Sequence, residues 1–315
     1  MFRRIKRKIL KKISKNVMNF VVSSNTEEIY KTLVAANIID YDRAQIAQGR
    51  QDYYHKNPVN HRVLQLSDVE NDVKSAKSIA ELYLKKLSDN GLDLMGKKLL
   101  EVGPGTHLGT CAILAHFGAE VSAIDKYPVR WQEPYHSAFY DALLKEYNNS
   151  AVINSIKESK FKNLTFFSDL SEIADASYDV VVSNSVLEHI EYFESFAQEM
   201  GRVTKRGGAQ FHGVDFADHR NYGGPLEYLL YDEETFDKIF KIRLGECGHQ
   251  RRPKEVIEFF EKNGFLSSEV DCTNFAEDDY MSYLVARLRM TNSKYKNWSK
   301  EDLKAVTVRL LFLKK

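Results

Sequence analysis

Three glycines, Gly103, Gly105 and Gly109, follow an acid, Glu101, at the end of the apolar run Leu99-Leu100-Glu101-Val102. Glycine lets a backbone turn sharply and approach a ligand with no Cβ in the way. The run before the glycines reads as a buried strand, and Cys111–Phe117 after them reads as a helix ending at Gly118. A strand, a glycine turn and a helix N-terminus make a corner whose N–H groups suit a nucleotide. A dinucleotide fingerprint needs its third glycine where this chain has Leu108; here the glycine comes one residue later. Asp125 lies about 20 residues past the turn, at a strand end, where an acid accepts both hydroxyls of a ribose.

A second set of reactive types lies further on. Asp215, His212, His219, His249 and His189 are candidates to take a proton from an acceptor. His219 is the preferred base, with Asp215 beside it. Tyr222, Glu227, His249, Arg251 and Arg252 form a polar, aromatic and basic set suited to binding an acceptor. The arginines match phosphate or carboxylate oxygens in bidentate fashion. Asp215, His219 and Glu227 could ligate a divalent ion, but their spacing is not diagnostic, and no metal is expected.

The elements that must position these residues alternate from residue 97 onward, which implies a parallel sheet. Strands are expected at Lys98–Val102, Glu120–Ile124, Leu164–Phe167 and from Tyr178, followed by a helix over Phe193–Val203. A fifth strand follows the Gly207-Gly208 turn. A helix over Glu255–Asn263, a strand over Ser267–Cys272, helices over Ala276–Met290 and after Ser299, and a strand over Ala305–Leu313 close the domain. Ahead of it, residues 23–96 read as a helical cap, with Ser67 and Glu70 as a capping box and Asn90-Gly91 as a helix stop. Residues 1–22 read as a basic amphipathic helix that could lie on an anionic membrane surface. The segment 216–255 reads as an insertion at the acceptor side.

Four segments together resemble motifs of the class I S-adenosylmethionine-dependent methyltransferases. They are Glu101-x-Gly-x-Gly-x-x-x-Gly109, Asp125, the run Tyr178-Asp179-Val180-Val181-Val182-Ser183-Asn184 leading to Glu188-His189, and Lys205-Arg206-Gly207-Gly208. The resemblance implies a Rossmann-like seven-stranded α/β sheet, here with an N-terminal helical extension. It also implies S-adenosyl-L-methionine as cofactor, bound by Glu101, Gly103, Gly105, Gly109, Asp125 and Lys126. Asp169 and Leu170 would meet its adenine, and Ser183 and Asn184 its methionine side. The 216–255 segment, with His249-Gln250-Arg251-Arg252-Pro253, is similar to a bacterial subgroup associated with surface-glycan biosynthesis. That subgroup implies O- or N-methylation of a sugar or glycan intermediate. A small metabolite or lipid acceptor, a nicotinamide oxidoreductase and a catalytically silent adaptor are the competing readings.

Composition bounds these expectations. The 315 residues are 43% hydrophobic and 28% charged, with a net charge of +1. Arg3 through Lys15 carry eight cations and no acid, so the remainder is net acidic, which disfavours nucleic acid as a partner. Cys111, Cys247 and Cys272 form no CxxC, which suggests a reducing compartment. The expected location is cytoplasmic, with peripheral contact at the inner membrane face through residues 1–22. Oligomeric state is left open.

Overall fold

The computed structural model of the chain describes residues 64–127, 129–218, 224–237 and 249–315. Residues 1–22, the first part of the expected cap (23–63), His219, Tyr222, Cys247 and much of the insertion lie outside the described residues. The chain divides into two units. The larger runs to Asp215 and adds Lys254–Asp271 and Val308–Lys315; the smaller includes Phe216–Pro253 and Cys272–Thr307.

The larger unit opens with α1 (Val69–Asp89), which buries Val73, Ala76, Ala80, Tyr83 and Leu87 at the three-and-four spacing of one helix face. Gly91 (φ +75°) stops it. The Gly91 and Leu92 amides donate to the Ser88 and Leu87 carbonyls, the double bond of a Schellman cap. The Ser67 capping box does not form: Asp68 is the N-cap, and its side chain makes no capping bond. Ser67 instead bonds Gln65 and Asp68.

Strands β1 (Lys98–Val102), β2 (Glu120–Ile124), β3 (Thr165–Phe167), β4 (Tyr178–Asn184), β5 (Thr204–Asp215), β6 (Phe265–Phe275) and β7 (Ala305–Lys314) form one sheet in the order β3-β2-β1-β4-β5-β7-β6. The pairs from β3 to β5 are parallel. The order reverses between β1 and β4, so the carboxyl ends of those strands flank a topological switch point, where ligands of open α/β sheets bind. The fold is the expected Rossmann-like seven-stranded α/β sheet, and its strand positions match the sequence reading to within a few residues.

Helix α2 (Gly109–His116) follows β1. Two helices not anticipated from the sequence, α3 (Tyr135–Glu146) and α4 (Ala151–Glu158), fill the connection from β2 to β3. With α1 they cover one sheet face, around Leu99, Ala112, Phe139, Tyr140, Val182 and Phe211. Helix α5 (Phe193–Val203) links β4 to β5, and α7 (Pro253–Lys262) precedes β6. On the other face Phe260 of α7 stacks on Phe312, centroids 4.4 Å apart.

The smaller unit has its own core of Leu226, Leu229, Phe236, Met281, Leu284, Leu288, Tyr295 and Leu303. Its helices are α6 (Glu233–Phe236), α8 (Asp278–Leu288) and α9 (Lys300–Leu303). Among the described residues no helix is long and apolar enough to cross a membrane.

Candidate active site

The glycine turn follows β1. Gly103 and Gly105 adopt φ values of +66° and +70°, which L side chains rarely tolerate. The Gly103 amide donates to the Ile124 carbonyl at 2.9 Å, tying the turn to β2. A Cβ on Gly103 would lie 2.4 Å from Val186 Cγ2, whereas one on Gly105 would meet nothing within 4 Å. The first glycine is therefore demanded by packing. The second leaves open space through which a ligand can reach the backbone. Leu108 is left-handed (φ 52°), at a cost of about 1 kcal/mol; its side chain is anchored in the core. Gly109 begins α2, and a Cβ there would sit 2.6 Å from Phe139 Cζ and 2.9 Å from Ala76 Cβ.

Glu101 faces the core. Register pairs it with Val182, and Val182 pairs with Phe211, which puts it on the face of α1 and α2. It is buried, accepts a bond from Cys111 Sγ at 2.8 Å, and burial lifts its pKa to about 7. Asp125 ends β2 half-buried. Its Oδ1 accepts from the Tyr127 amide at 2.8 Å, and burial raises its pKa. Among the described residues its other oxygen has no assigned bond, which suits a ribose hydroxyl. Lys126 is exposed, its ammonium 5.8 Å from the Tyr127 ring centroid.

Asp169 is exposed and caps the one-turn 3-10 helix Leu170–Glu172, accepting from the Ser171 amide at 2.8 Å. The Ser171 hydroxyl, and then its amide, hold the Asp169 pKa below the usual carboxylate value. Arg202 of α5 fixes this turn by donating to the Leu170 carbonyl at 2.8 Å and pairing with Glu199 and Asp175.

Two expected contacts need correction. Ser183 is fully buried, and its hydroxyl bonds His212 Nδ1 at 2.8 Å, on the face opposite Glu101. Its side chain is spent inside the core, because strand alternation turns it inward. Asn184, one residue on, is half-buried, and Gly213 leaves room for its Oδ1, 2.5 Å from where a Cβ would stand. His212 is no candidate base either. The Gln210 amide nitrogen donates to the Met200 carbonyl (3.0 Å) and to Thr204 Oγ1 (2.6 Å), so its oxygen accepts from His212 Nε2 (2.8 Å). His212 Nδ1 is then the acceptor for Ser183, and burial drives the imidazole pKa down to about 3.

His189 is exposed on a 3-10 turn, Leu187–His189, and not on the expected helix. Its neighbour Glu188 is buried and accepts from the Asp215 amide at 3.3 Å, tying the end of β5 to that turn.

In the smaller unit the acceptor candidates hold the fold. Arg252 is fully buried and donates to the Phe216, Leu303 and Ala305 carbonyls and to the Tyr228 hydroxyl (3.0 Å). Its guanidinium lies 5.1 Å from the Phe216 ring centroid. It is a structural strut, and its expected substrate contact is withdrawn: both terminal nitrogens are taken up by oxygens of the chain itself. Glu227 pairs with Arg287 of α8 at 2.8 Å. His249 is buried, with Nδ1 accepting from the Arg251 amide at 3.1 Å, and Arg251 is half-buried. Among the described residues no group of three or more His, Cys, Asp or Glu side chains could hold a metal ion.

The sequence reading missed the residues that hold the turn. His136 of α3 is fully buried; its Nε2 donates to the Thr106 carbonyl at 2.9 Å, and its Nδ1 accepts from the Gln132 amide at 2.7 Å. Tyr140 donates to the His107 carbonyl at 3.0 Å. His107 stacks on Phe139 at 4.5 Å and accepts from the Gly109 amide at 3.0 Å. The spacing of Tyr135, Phe139 and Leu143 could have revealed the helix. Bonds to backbone carbonyls leave no such pattern.

A groove of about 680 Å³ opens at the amino ends of the strands, beside Lys98, Glu120, Thr165 and Tyr178. It lies at the wrong end of the sheet for the donor. The carboxyl-end corner fits S-adenosylmethionine: Gly105 leaves backbone open to an approaching ligand and Asp125 offers an acceptor at the end of β2.

A family model described as a methyltransferase domain matches residues 100–211. Over those residues the chain is similar to a methyltransferase domain. Its span takes in the glycine turn, Asp125, Asp169, β4 and most of β5. Among curated relatives, the mitochondrial ubiquinone biosynthesis O-methyltransferase of Rattus norvegicus is 31% identical over 123 residues, 39% of this chain and 32% of that one. The ubiquinone biosynthesis O-methyltransferase of Pectobacterium carotovorum is 28% identical over 144 residues, 46% of this chain and 54% of that one. The chain thus spans about a third to a half of these relatives. A solved phosphoethanolamine N-methyltransferase 2 of Haemonchus contortus, in complex with S-adenosyl-L-methionine, shares 16% identity at a TM-score of 0.44, over 75% of this chain and 52% of that one.

Proposed function

We propose that the whole chain transfers the methyl group of S-adenosylmethionine to an oxygen of a small, lipid-like acceptor. The observation that carries the donor half is the corner at Gly103–Gly109 with Asp125, inside a segment that matches a methyltransferase domain. Support for the acceptor half is the similarity to O-methyltransferases of ubiquinone biosynthesis. Bound donor supplies an electrophilic methyl on a sulfonium. Gly105 and Asp125 hold that donor at the switch point, so the acceptor oxygen has only to lie in line, and proximity provides much of the rate. The acceptor proton leaves to a base; His219, Asp215 and exposed His189 are the proposed takers. Replacing His219 with Ala is expected to lower turnover at least a hundredfold with cofactor affinity unchanged, and full turnover removes it from this role.

The basic segment 1–22 serves this acceptor class by bringing the enzyme to an anionic membrane surface. Flotation with anionic but not neutral vesicles, lost at high salt, is the expected behaviour. A second reading, methylation of a sugar or glycan intermediate, draws on half-buried Arg251 and buried His249. Labelled methyl transfer into lipid extract against soluble sugar nucleotides separates the two readings. Turnover confined to sugar nucleotides overturns the first. Cofactor affinity with no turnover on either would indicate a silent adaptor.

A further inference from the structure

We infer that His136 is a positioning residue of the donor site, setting the glycine loop in its ligand-ready shape from behind. The inference rests on the donor reading above and adds to it a residue outside the glycine motif. The loop Thr106–Leu108 bends through a left-handed leucine, a shape it does not hold by its own preference. Two of its carbonyls are received by α3. Thr106 bonds His136 Nε2 at 2.9 Å, and His107 bonds the Tyr140 hydroxyl at 3.0 Å. A carbonyl oxygen only accepts, so His136 Nε2 carries the proton and Nδ1 accepts from the Gln132 amide. One neutral tautomer thus bridges two loops. Each of these carbonyls is trans to the amide of the next residue, so holding Thr106 and His107 oxygens on α3 turns the His107 and Leu108 amides the other way.

The clamp is itself anchored. Tyr135, beside His136, donates to buried Asp72 of α1 at 2.5 Å. Trp131 lies 5.2 Å and Phe161 5.1 Å from the imidazole, centroid to centroid, closing it from water. An apolar ring would fill the same space as His136, so packing alone does not require a histidine. The bond to Thr106 does.

Hydrogen exchange of the peptide spanning 103–109 and calorimetry with S-adenosylhomocysteine test the inference on the full chain. His136→Phe is expected to speed exchange of the loop amides and weaken the ligand, each about tenfold. His136→Gln, which keeps an N–H at similar reach, is expected to restore most of both. Tyr140→Phe, which removes one hydroxyl only, is expected to give about a threefold loss and remains readable if His136→Phe fails to fold. Trp131→Phe is the packing control: it lowers Tm and leaves loop exchange within twofold. The inference is overturned if His136→Phe and Tyr140→Phe both leave exchange and affinity within twofold, or if Trp131→Phe changes both as much. Should the wild-type protein bind no S-adenosylhomocysteine, the donor reading fails, while loop exchange still decides the clamp.

Discussion

The glycine corner and the 216–253 segment use polar side chains in opposite ways. At the corner, His136 and Tyr140 point at the Thr106 and His107 carbonyls, and Gly105 leaves backbone open to a ligand. In the smaller unit, Arg252, Gln250 and Glu227 are absorbed by the fold: Arg252 by four oxygen partners, Gln250 by the Tyr228 and Tyr231 carbonyls, Glu227 by Arg287. A polar residue type therefore signals a ligand only where the backbone has not already claimed it. The comparison also explains why donor chemistry is easier to read than acceptor chemistry.

Substitutions can break this contrast, and the largest effect is expected at Arg252. Arg252→Ala strands several buried carbonyls and a tyrosine hydroxyl, for a loss of about 3–5 kcal/mol. Chemical denaturation should show this, with S-adenosylhomocysteine affinity preserved in the fraction that remains folded. An acceptor-binding Arg252 would instead raise KM at unchanged stability. Gly103→Ala meets Val186 and a positive φ together, so a loss of about 2–4 kcal/mol and of donor binding is expected; calorimetry and thermal melts report both.

Glu101 gives a smaller, pH-dependent effect. Its carboxyl titrates near 7 folded against 4.5 in its ordinary state. The folded protein holds the proton more tightly, so the contribution to stability is greatest below pH 4.5 and falls as pH rises toward 7. Glu101→Gln removes that slope. At pH 8 it should be more stable than wild type by on the order of 2 kcal/mol, and at pH 4 the advantage should vanish, as read by urea midpoints. A pH-independent difference would contradict the buried, uncharged carboxyl. Asp125→Asn keeps the shape and loses the charge-assisted acceptor; a loss of about tenfold in S-adenosylhomocysteine affinity with unchanged Tm is expected. Last, Glu227→Gln breaks the partly exposed pair with Arg287, worth about 1 kcal/mol at most; a greater effect on KM than on Tm would return Glu227 to the acceptor site.

The sheet was legible because each strand is an apolar run bounded by a turn signal. β1, β2 and α5 coincide with the ranges read from the residues. Helices α3 and α4 were missed although Tyr135, Phe139 and Leu143 carry a helical spacing, because other aromatic and polar residues crowd the stretch after Asp125 and dilute it. Glycine positions carried the donor corner, since close approach demands that residue type. Ser183 misled because alternation decides which face a strand residue serves, and a motif does not show register. Arg252 misled because burial depends on partners distant in sequence, here Leu303 and Ala305.

The bonded chain from Ser183 through His212 to Gln210 has a consequence when set beside Glu101 on the other side of the same sheet. His212 resists protonation down to about pH 3, against 6.5 for an ordinary histidine, so acid draws it toward the unfolded chain. Glu101 resists ionisation up to about pH 7, so base does the same from the opposite direction. Between about pH 4.5 and 6.5 the two slopes are equal and opposed and cancel. Two side chains that never touch thus act on stability in opposite directions across mild acid, each offsetting the other's slope.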